Sequence, residues 1–256
     1  MITAYHRPEK IDEALELLSR ASPVTVPLGG GTILSHQRGG DLEVVDLQAL
    51  GLKHIQPQGD HVEVGATVTL QQLLESSHCP RVLAQALRLE TPINVRNMGS
   101  IAGTLVVCDA RSTFATVLLA QDAKLTLRLP QAQSVALAEF LMKRGQFRPG
   151  FLITNLEIPL APRLAFEYVA RTPADWPIVA VAIAQWPSGR TRVVAGGFGT
   201  MPLLAMDGSD AGGVEQAARN ALHDASDPWA SAEYRMDIGA TLARRCLATL
   251  ASQASA

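Results

Sequence analysis

The sequence predicts an α+β protein, and three observations carry that reading. The opening segment runs helix, strand, glycine turn, strand, which makes a small α/β unit. In the second half, Ile178–Trp186 and Arg192–Phe198 read as an antiparallel pair turned at Pro187-Ser188-Gly189. Two helical patterns, Val214–His223 and one from about Ala232, then close the chain.

The first helix is marked by Pro8 and Glu9 and by Ile11, Ala14, Leu15 and Leu18 at helical spacing. Ser22-Pro23 stops it, Val24-Thr25-Val26 starts a strand, and Gly29-Gly30-Gly31 leads into Thr32-Ile33-Leu34. A turn at Gly39-Gly40-Asp41 precedes a strand over Glu43–Leu47. His54–Gln56 and His61–Val64 are strands around the turn Gln58-Gly59-Asp60, and Thr69 is an N-cap for a helix through Leu73 and Leu74. A helix over Val82–Glu90 ends near Thr91-Pro92, and the stretch Asn94–Thr104, rich in turn formers, reads as a loop. A helix over Thr113–Ala120 leads into the alternating strand Lys124–Leu129. Pro159 and Pro162 mark a linker, and Asp207–Gly213 reads as a flexible loop. In the closing helix Ile238, Leu242 and Cys246 fall in step, with Arg244-Arg245 turned outward.

The chain has 256 residues, 47% hydrophobic and 18% charged, enough for one large domain or two modest ones with a sizeable core. A net charge of −2 and 5% aromatics leave neither a basic face nor stacking platforms for nucleic acid. The longest apolar run, Ile178 to Trp186, falls short of the ~20 residues of a membrane span. The N-terminus lacks the pattern of a secretory signal, so a soluble, cytoplasmic protein is expected. Cys79, Cys108 and Cys246 are isolated and too few for an iron–sulfur cluster, and the histidines show no ligand spacing, so no metal site is expected.

The candidate chemistry lies in two glycine-bearing loops. Gly30 and Gly31 let backbone amides approach an anion, and Thr32 adds a hydroxyl. Neither the dinucleotide fingerprint of a Rossmann unit nor the ending of a phosphate loop is present. With Gly99–Thr104, two loops stand ready to grip a diphosphate from both sides; the plainer alternative is a pair of turns under packed sheets. Arg96 is a phosphate partner or a loop anchor, Asp109 a ribose ligand or a helix cap, and Tyr168 and Trp176 border a cofactor or pack. No catalytic triad or carboxylate pair stands out, so any chemistry falls to a cofactor.

Tyr5-His6-Arg7-Pro8 with Glu13–Leu18, Leu28-Gly29-Gly30-Gly31-Thr32-Ile33-Leu34, Val45-Asp46-Leu47, Val64–Leu70, Val95–Thr104 and Leu152–Pro159 follow one another in a familiar order. They resemble the FAD-binding subunit of molybdenum hydroxylases of the xanthine and carbon monoxide dehydrogenase type, whose loops commonly read AGGTDL and IRNxATIGGN. Phe166-Glu167, Arg171, Asp175 and Tyr234-Arg235-Met236 extend the resemblance to the C-terminal part. It implies a p-cresol methylhydroxylase-type FAD-binding domain over 1–160, divided near 55, and a second domain over 163–256 of antiparallel sheet and helical bundle. It further implies an electron-transfer oxidoreductase subunit working beside an iron–sulfur subunit and a molybdopterin subunit. NAD, oxygen or a quinone is the implied acceptor. The cofactor contacts it implies are Gly29, Gly30, Gly31, Thr32, Ile33 and Leu34, then Ser100, Ile101, Gly103 and Thr104, with Asp109 and Ile153.

The departures are equally specific. Ala102 and Thr104 replace a Gly and an Asn or Asp of the second loop, Ala110 and Thr113 the Pro and acid of SPxxD, Phe151 a Glu and Tyr168 a Lys. An alanine at a positive-φ turn costs ~1 kcal/mol or more, and a lost charged hydrogen bond roughly 1.5–3 kcal/mol. The alternative reading is therefore a degenerate member with weak or no FAD binding, acting in assembly.

Overall fold

A computed structural model describes residues 1–34, 40–129, 131–147 and 150–254; Gly39, and with it part of the expected turn before the third strand, lies outside them. The elements in chain order are β1 (Ile2–His6), α1 (Ile11–Leu18), β2 (Thr25–Leu28), β3 (Leu42–Asp46), β4 (Ile55–Gln58), β5 (His61–Gly65), α2 (Leu70–Glu75), α3 (Arg81–Glu90), α4 (Ile93–Arg96) and α5 (Ile101–Val107). They continue with α6 (Thr113–Ala120), β6 (Lys124–Leu129), β7 (Gln131–Ala136), α7 (Leu137–Lys143), β8 (Leu152–Pro159), β9 (Arg163–Val169), β10 (Val179–Gln185), β11 (Thr191–Gly196), β12 (Leu203–Gly208), α8 (Val214–Asn220) and α9 (Ala232–Ala254). The chain folds into two compact units. The first gathers residues 1–78, 92–107 and 124–158, and the second gathers 79–91, 108–123 and 159–256.

The first unit holds two sheets. β1, β3 and β2 form a parallel sheet in which β3 is central, paired with both neighbours. Val44 and Val45 of β3 are buried, and α1 turns Ala14, Leu15, Leu17 and Leu18 inward, as its periodicity requires. The second sheet has the order β4-β5-β8-β6-β7, with antiparallel β4–β5, β6–β7 and β6–β8 pairs. Thr69 caps α2 as expected, accepting from the Gln72 amide while the Gln72 side chain reaches back to the Thr69 amide. β1, β7 and α7 had no clear signal: β1 is mostly exposed and β7 carries four exposed residues in succession. An edge strand lacking a buried face leaves no alternation to read.

The second unit is a four-stranded antiparallel sheet, β12-β11-β10-β9, covered on both faces. Val179, Val181 and Ile183 of β10 join Val193 and Ala195 of β11 in a core with Val214, Ala218 and Leu222 and with Leu242, Ala243, Cys246 and Leu250 of α9. The alternate residues of β10 are alanines, and opposite Ala180 stands Gly196, whose added Cβ would lie 2.8 Å from Thr116 Oγ1 of α6. Small residues thus admit α6 close to the sheet, and α6 is buried on every side. Asp207 and Gly208, expected in a loop, end β12. Asp207 meets Arg190 at 2.7 Å and Arg192 at 2.8 Å, and these ion pairs hold the segment. Arg244 and Arg245 face outward as expected. Arg235, inside the first turn of α9, is fully buried and donates to the carbonyls of Ile178, Ala225 and Ala230 and to Asp227.

Candidate functional site

Two segments of the first unit that were singled out in the sequence meet in space. The glycine turn leaves the carboxyl end of β2, in a parallel sheet, the position where α/β folds receive ligands. Gly30 lies so near the backbone of the second segment that an added Cβ would fall 1.7 Å from the Met98 carbonyl oxygen. A Cβ on Gly29 would fall 2.6 Å from Ser100 Oγ. Gly31 has φ +69°, where other residues are strained. Contact and conformation therefore both demand glycine. Among the described residues the amides of Gly30 and Gly31 find no acceptor. Ile33, also in this turn, is exposed.

The second segment is not the loop its composition predicts. Ile93–Arg96 and Ile101–Val107 are helical, and Ser100 starts the second helix. Its Oγ accepts from the Gly103 amide at 3.2 Å, and its carbonyl accepts from the Thr104 amide and hydroxyl, each at 2.9 Å. The Ile101 amide donates to Val68 and the Ala102 amide to Ala66, while Gly99 accepts from Leu70. The stretch Gly65–Leu70 is thus a strap along residues 99–102, a role that the reading of Thr69 as an N-cap did not include. Four successive amides, 101 to 104, have protein partners.

That geometry corrects one expectation. Ala102 lies within helix, and the single non-glycine residue with positive φ among the described ones is Asp122. The backbone strain expected from alanine at this position is absent.

The other candidates have partners of their own. Ile153 is buried in β8; the next residue, Thr154, accepts from the Ala66 amide, linking β8 to the strap. Arg96 donates to Gln71 Oε1 at 3.0 Å, which anchors it to α2. Asp109 belongs to the second unit and is exposed, its Oδ1 accepting from the Arg111 amide at 2.7 Å. The cap of α6 is Ser112, accepting from the Ala115 amide, so Asp109 does not fill that role. Thr113 is buried and donates to the Ala86 carbonyl at 2.7 Å. Close to it, the Glu90 carboxyl accepts from Ser112 Oγ and the Phe114 amide, and burial pushes its pKa up. Tyr168 stacks on Phe166, Phe151 packs on Phe147, and Trp176 is exposed. Arg111 and Arg171 each lie 4.6 Å from the centre of the Trp229 ring.

Cys79 is half-buried, Cys108 and Cys246 buried; burial raises Cys79 to about 11 and Cys246 to about 12, leaving both as unreactive thiols. Among the described residues no group of three or more His, Cys, Asp or Glu is arranged to hold a metal ion, and no helix is long and apolar enough to cross a membrane.

Residues 1–161 match the family described as the FAD binding domain in molybdopterin dehydrogenase. The chain belongs to that family. It is thereby an FAD-binding oxidoreductase subunit of the molybdenum hydroxylase group. It is 26% identical over 273 residues to the carbon monoxide dehydrogenase medium chain of Afipia carboxidovorans, covering 95% of this chain and 94% of that one. The Escherichia coli K12 protein YgfM is 26% identical over 249 residues, covering 94% of each. In fold it is similar to a chain of reconstituted carbon monoxide dehydrogenase from Oligotropha carboxidovorans, with TM-score 0.80, 24% identity and coverage of 95% and 96%. Quinoline 2-oxidoreductase from Pseudomonas putida 86 is similar with TM-score 0.79, 21% identity and coverage of 98% and 97%.

The residues present fit a flavin dinucleotide at the glycine turn. A diphosphate needs converging donors and no intruding side chain. Gly30 and Gly31 supply two amides with no acceptor among the described residues, on a turn without a Cβ at three successive positions.

Proposed function

We propose that this chain is the FAD-binding electron-transfer subunit of a heteromeric molybdenum hydroxylase, working in the cytoplasm beside an iron–sulfur subunit and a molybdopterin subunit. The observation that carries the reading is the glycine turn at the carboxyl end of β2, where the amides of Gly30 and Gly31 find no acceptor among the described residues. When bound, FAD supplies the redox chemistry, taking electrons from the iron–sulfur side and releasing them to NAD, oxygen or a quinone. The protein's part is to bind and orient.

Gly29 to Leu34 hold the pyrophosphate through backbone donors; Met98 and Ser100 form the wall against which that turn is set, and Ile101, Gly103 and Thr104 continue it as helix beside the cofactor. Ile153 presents an apolar contact for the ring system, and Asp109 is the carboxylate offered to a ribose hydroxyl. The flavin domain is assigned to residues 1–160 and the second domain to 163–256. Support comes from family membership, from coverage of relatives over nearly their whole length, and from the absence of strain at Ala102.

Purified protein is expected to be yellow, to absorb near ~450 nm, and to release FAD on heating. Affinity purification from the native host is expected to bring down an iron–sulfur protein and a molybdopterin protein. A colourless chain that takes up no added FAD yet co-purifies with both partners sinks this reading and leaves a structural assembly subunit instead.

A further inference from the structure

Where the three parallel strands end, a polar chain runs from β1 across β3 to the glycine turn. Asp46, the last residue of β3, is buried. Its Oδ2 accepts from the Tyr5 hydroxyl and lies 3.5 Å from the Arg7 guanidinium, both at the end of β1. Its Oδ1 accepts from the Gln48 amide at 3.0 Å. The Gln48 side chain, exposed, then donates through Nε2 to the Gly29 carbonyl at 3.2 Å. Asp46 also stands opposite Leu28 in the β2–β3 register, directly before the turn.

The geometry points to Gln48 as a positioning residue for the flavin diphosphate, held in register by Asp46. The inference rests on the FAD-binding reading above. The Gly29 carbonyl and the Gly30 amide share one planar peptide unit, so fixing that oxygen fixes the direction of the amide hydrogen. Glycine makes the turn possible and, for the same reason, leaves it the widest choice of φ and ψ. Contact with Met98 and Ser100 limits where the turn can go; the Gln48 amide restrains its peptide plane through the Gly29 carbonyl. A neutral amide suits the task, because a carboxylate at 48 has no proton to donate to a carbonyl and would repel a diphosphate.

The test compares FAD binding, by flavin fluorescence and calorimetry, in the full chain and in Gln48→Ala and Gln48→Glu. Gln48 is exposed, so both variants are expected to fold with an unchanged unfolding midpoint. Loss of one hydrogen bond of about 1 kcal/mol predicts about five-fold weaker binding for Gln48→Ala. Gln48→Glu is expected to bind more weakly still at neutral pH. It should regain affinity as pH falls through the carboxylate range, since a protonated carboxyl again donates to the Gly29 carbonyl; the parent chain should not show that recovery. In flavin-free protein, the amide NMR resonances of residues 29–31 should shift and broaden in Gln48→Ala while those of residues 93–107 stay unchanged.

Equal FAD affinity in the parent and Gln48→Ala overturns the positioning role and leaves the FAD reading intact. A parent chain that binds no FAD overturns both, and is told apart by its lack of any flavin signal. Amide resonances that shift equally across 93–107 also overturn the role, because they mark general loosening.

Discussion

The two glycine-bearing segments of the first unit look alike as sequences and differ as structures. In residues 29–31, glycine is required by a 1.7 Å approach to a carbonyl and by a positive φ, and two amides find no acceptor among the described residues. In residues 100–104 the chain is already helix, Gly103 has an ordinary φ, and the amides are used by Ser100, Val68 and Ala66. One segment offers donors and the other offers a rigid wall. Glycine content alone cannot distinguish these roles, because it reports where a backbone is permitted to go and not where its hydrogen bonds are spent.

The largest expected effect is therefore on the first segment. Gly30→Ala places a methyl group far inside van der Waals contact distance of the Met98 carbonyl oxygen, which is backbone and cannot step aside. Denaturant unfolding should show a loss of about 3 kcal/mol, the upper end for forcing volume into a packed site. FAD uptake should vanish. A variant that keeps its flavin would show that the turn is not where the diphosphate sits. Ser100→Ala, on the second segment, is smaller. It removes the acceptor of the Gly103 amide at a helix start and is expected to cost about 1 kcal/mol. FAD affinity should change by less than about two-fold, being a loss in the wall and not in the donors; a larger drop in affinity than in stability would make Ser100 a direct ligand and erase the contrast.

How much of this was legible beforehand depended on whether a signal was local. α6 and β6 fall where helical content and strict alternation placed them, and Thr69 caps α2, since each is decided by neighbours within a few residues. The glycine turn after β2 was legible for the same reason. The helix at 101–107 was not. Asn94 to Thr104 is full of turn formers, yet the strap from Ala66 to Leu70 supplies tertiary hydrogen bonds that outweigh a weak propensity. The Asp46–Gln48–Gly29 chain was hidden too, because register between β2 and β3 creates it and no spacing in the sequence announces it. Assignment of α3 and α6 to the second unit is likewise a matter of long-range packing: both come before residue 124 yet α6 lies against β10 and β11.

The smallest effects test the second segment where its sequence departs from its family. If Ala102 occupied a strained turn, Ala102→Gly would relieve it and tighten FAD binding. Within α5 the same change adds backbone freedom to the unfolded chain and removes nothing unfavourable from the folded one. The expected outcome is a loss of about 0.5–1 kcal/mol in stability with FAD affinity unchanged, measured side by side. Gly103→Ala should come out closer to zero. An added Cβ meets only Ser100 Oγ, at 2.9 Å, and the gain in helix propensity of up to ~1 kcal/mol is set against the shift of that hydroxyl and of the bond it receives from the 103 amide. A net change within about 0.5 kcal/mol is expected, like that of an ordinary surface substitution. A loss approaching that of Gly30→Ala would mean that close approach, and not helix, rules the second segment as well. The two segments would then be one cradle with two equivalent sides.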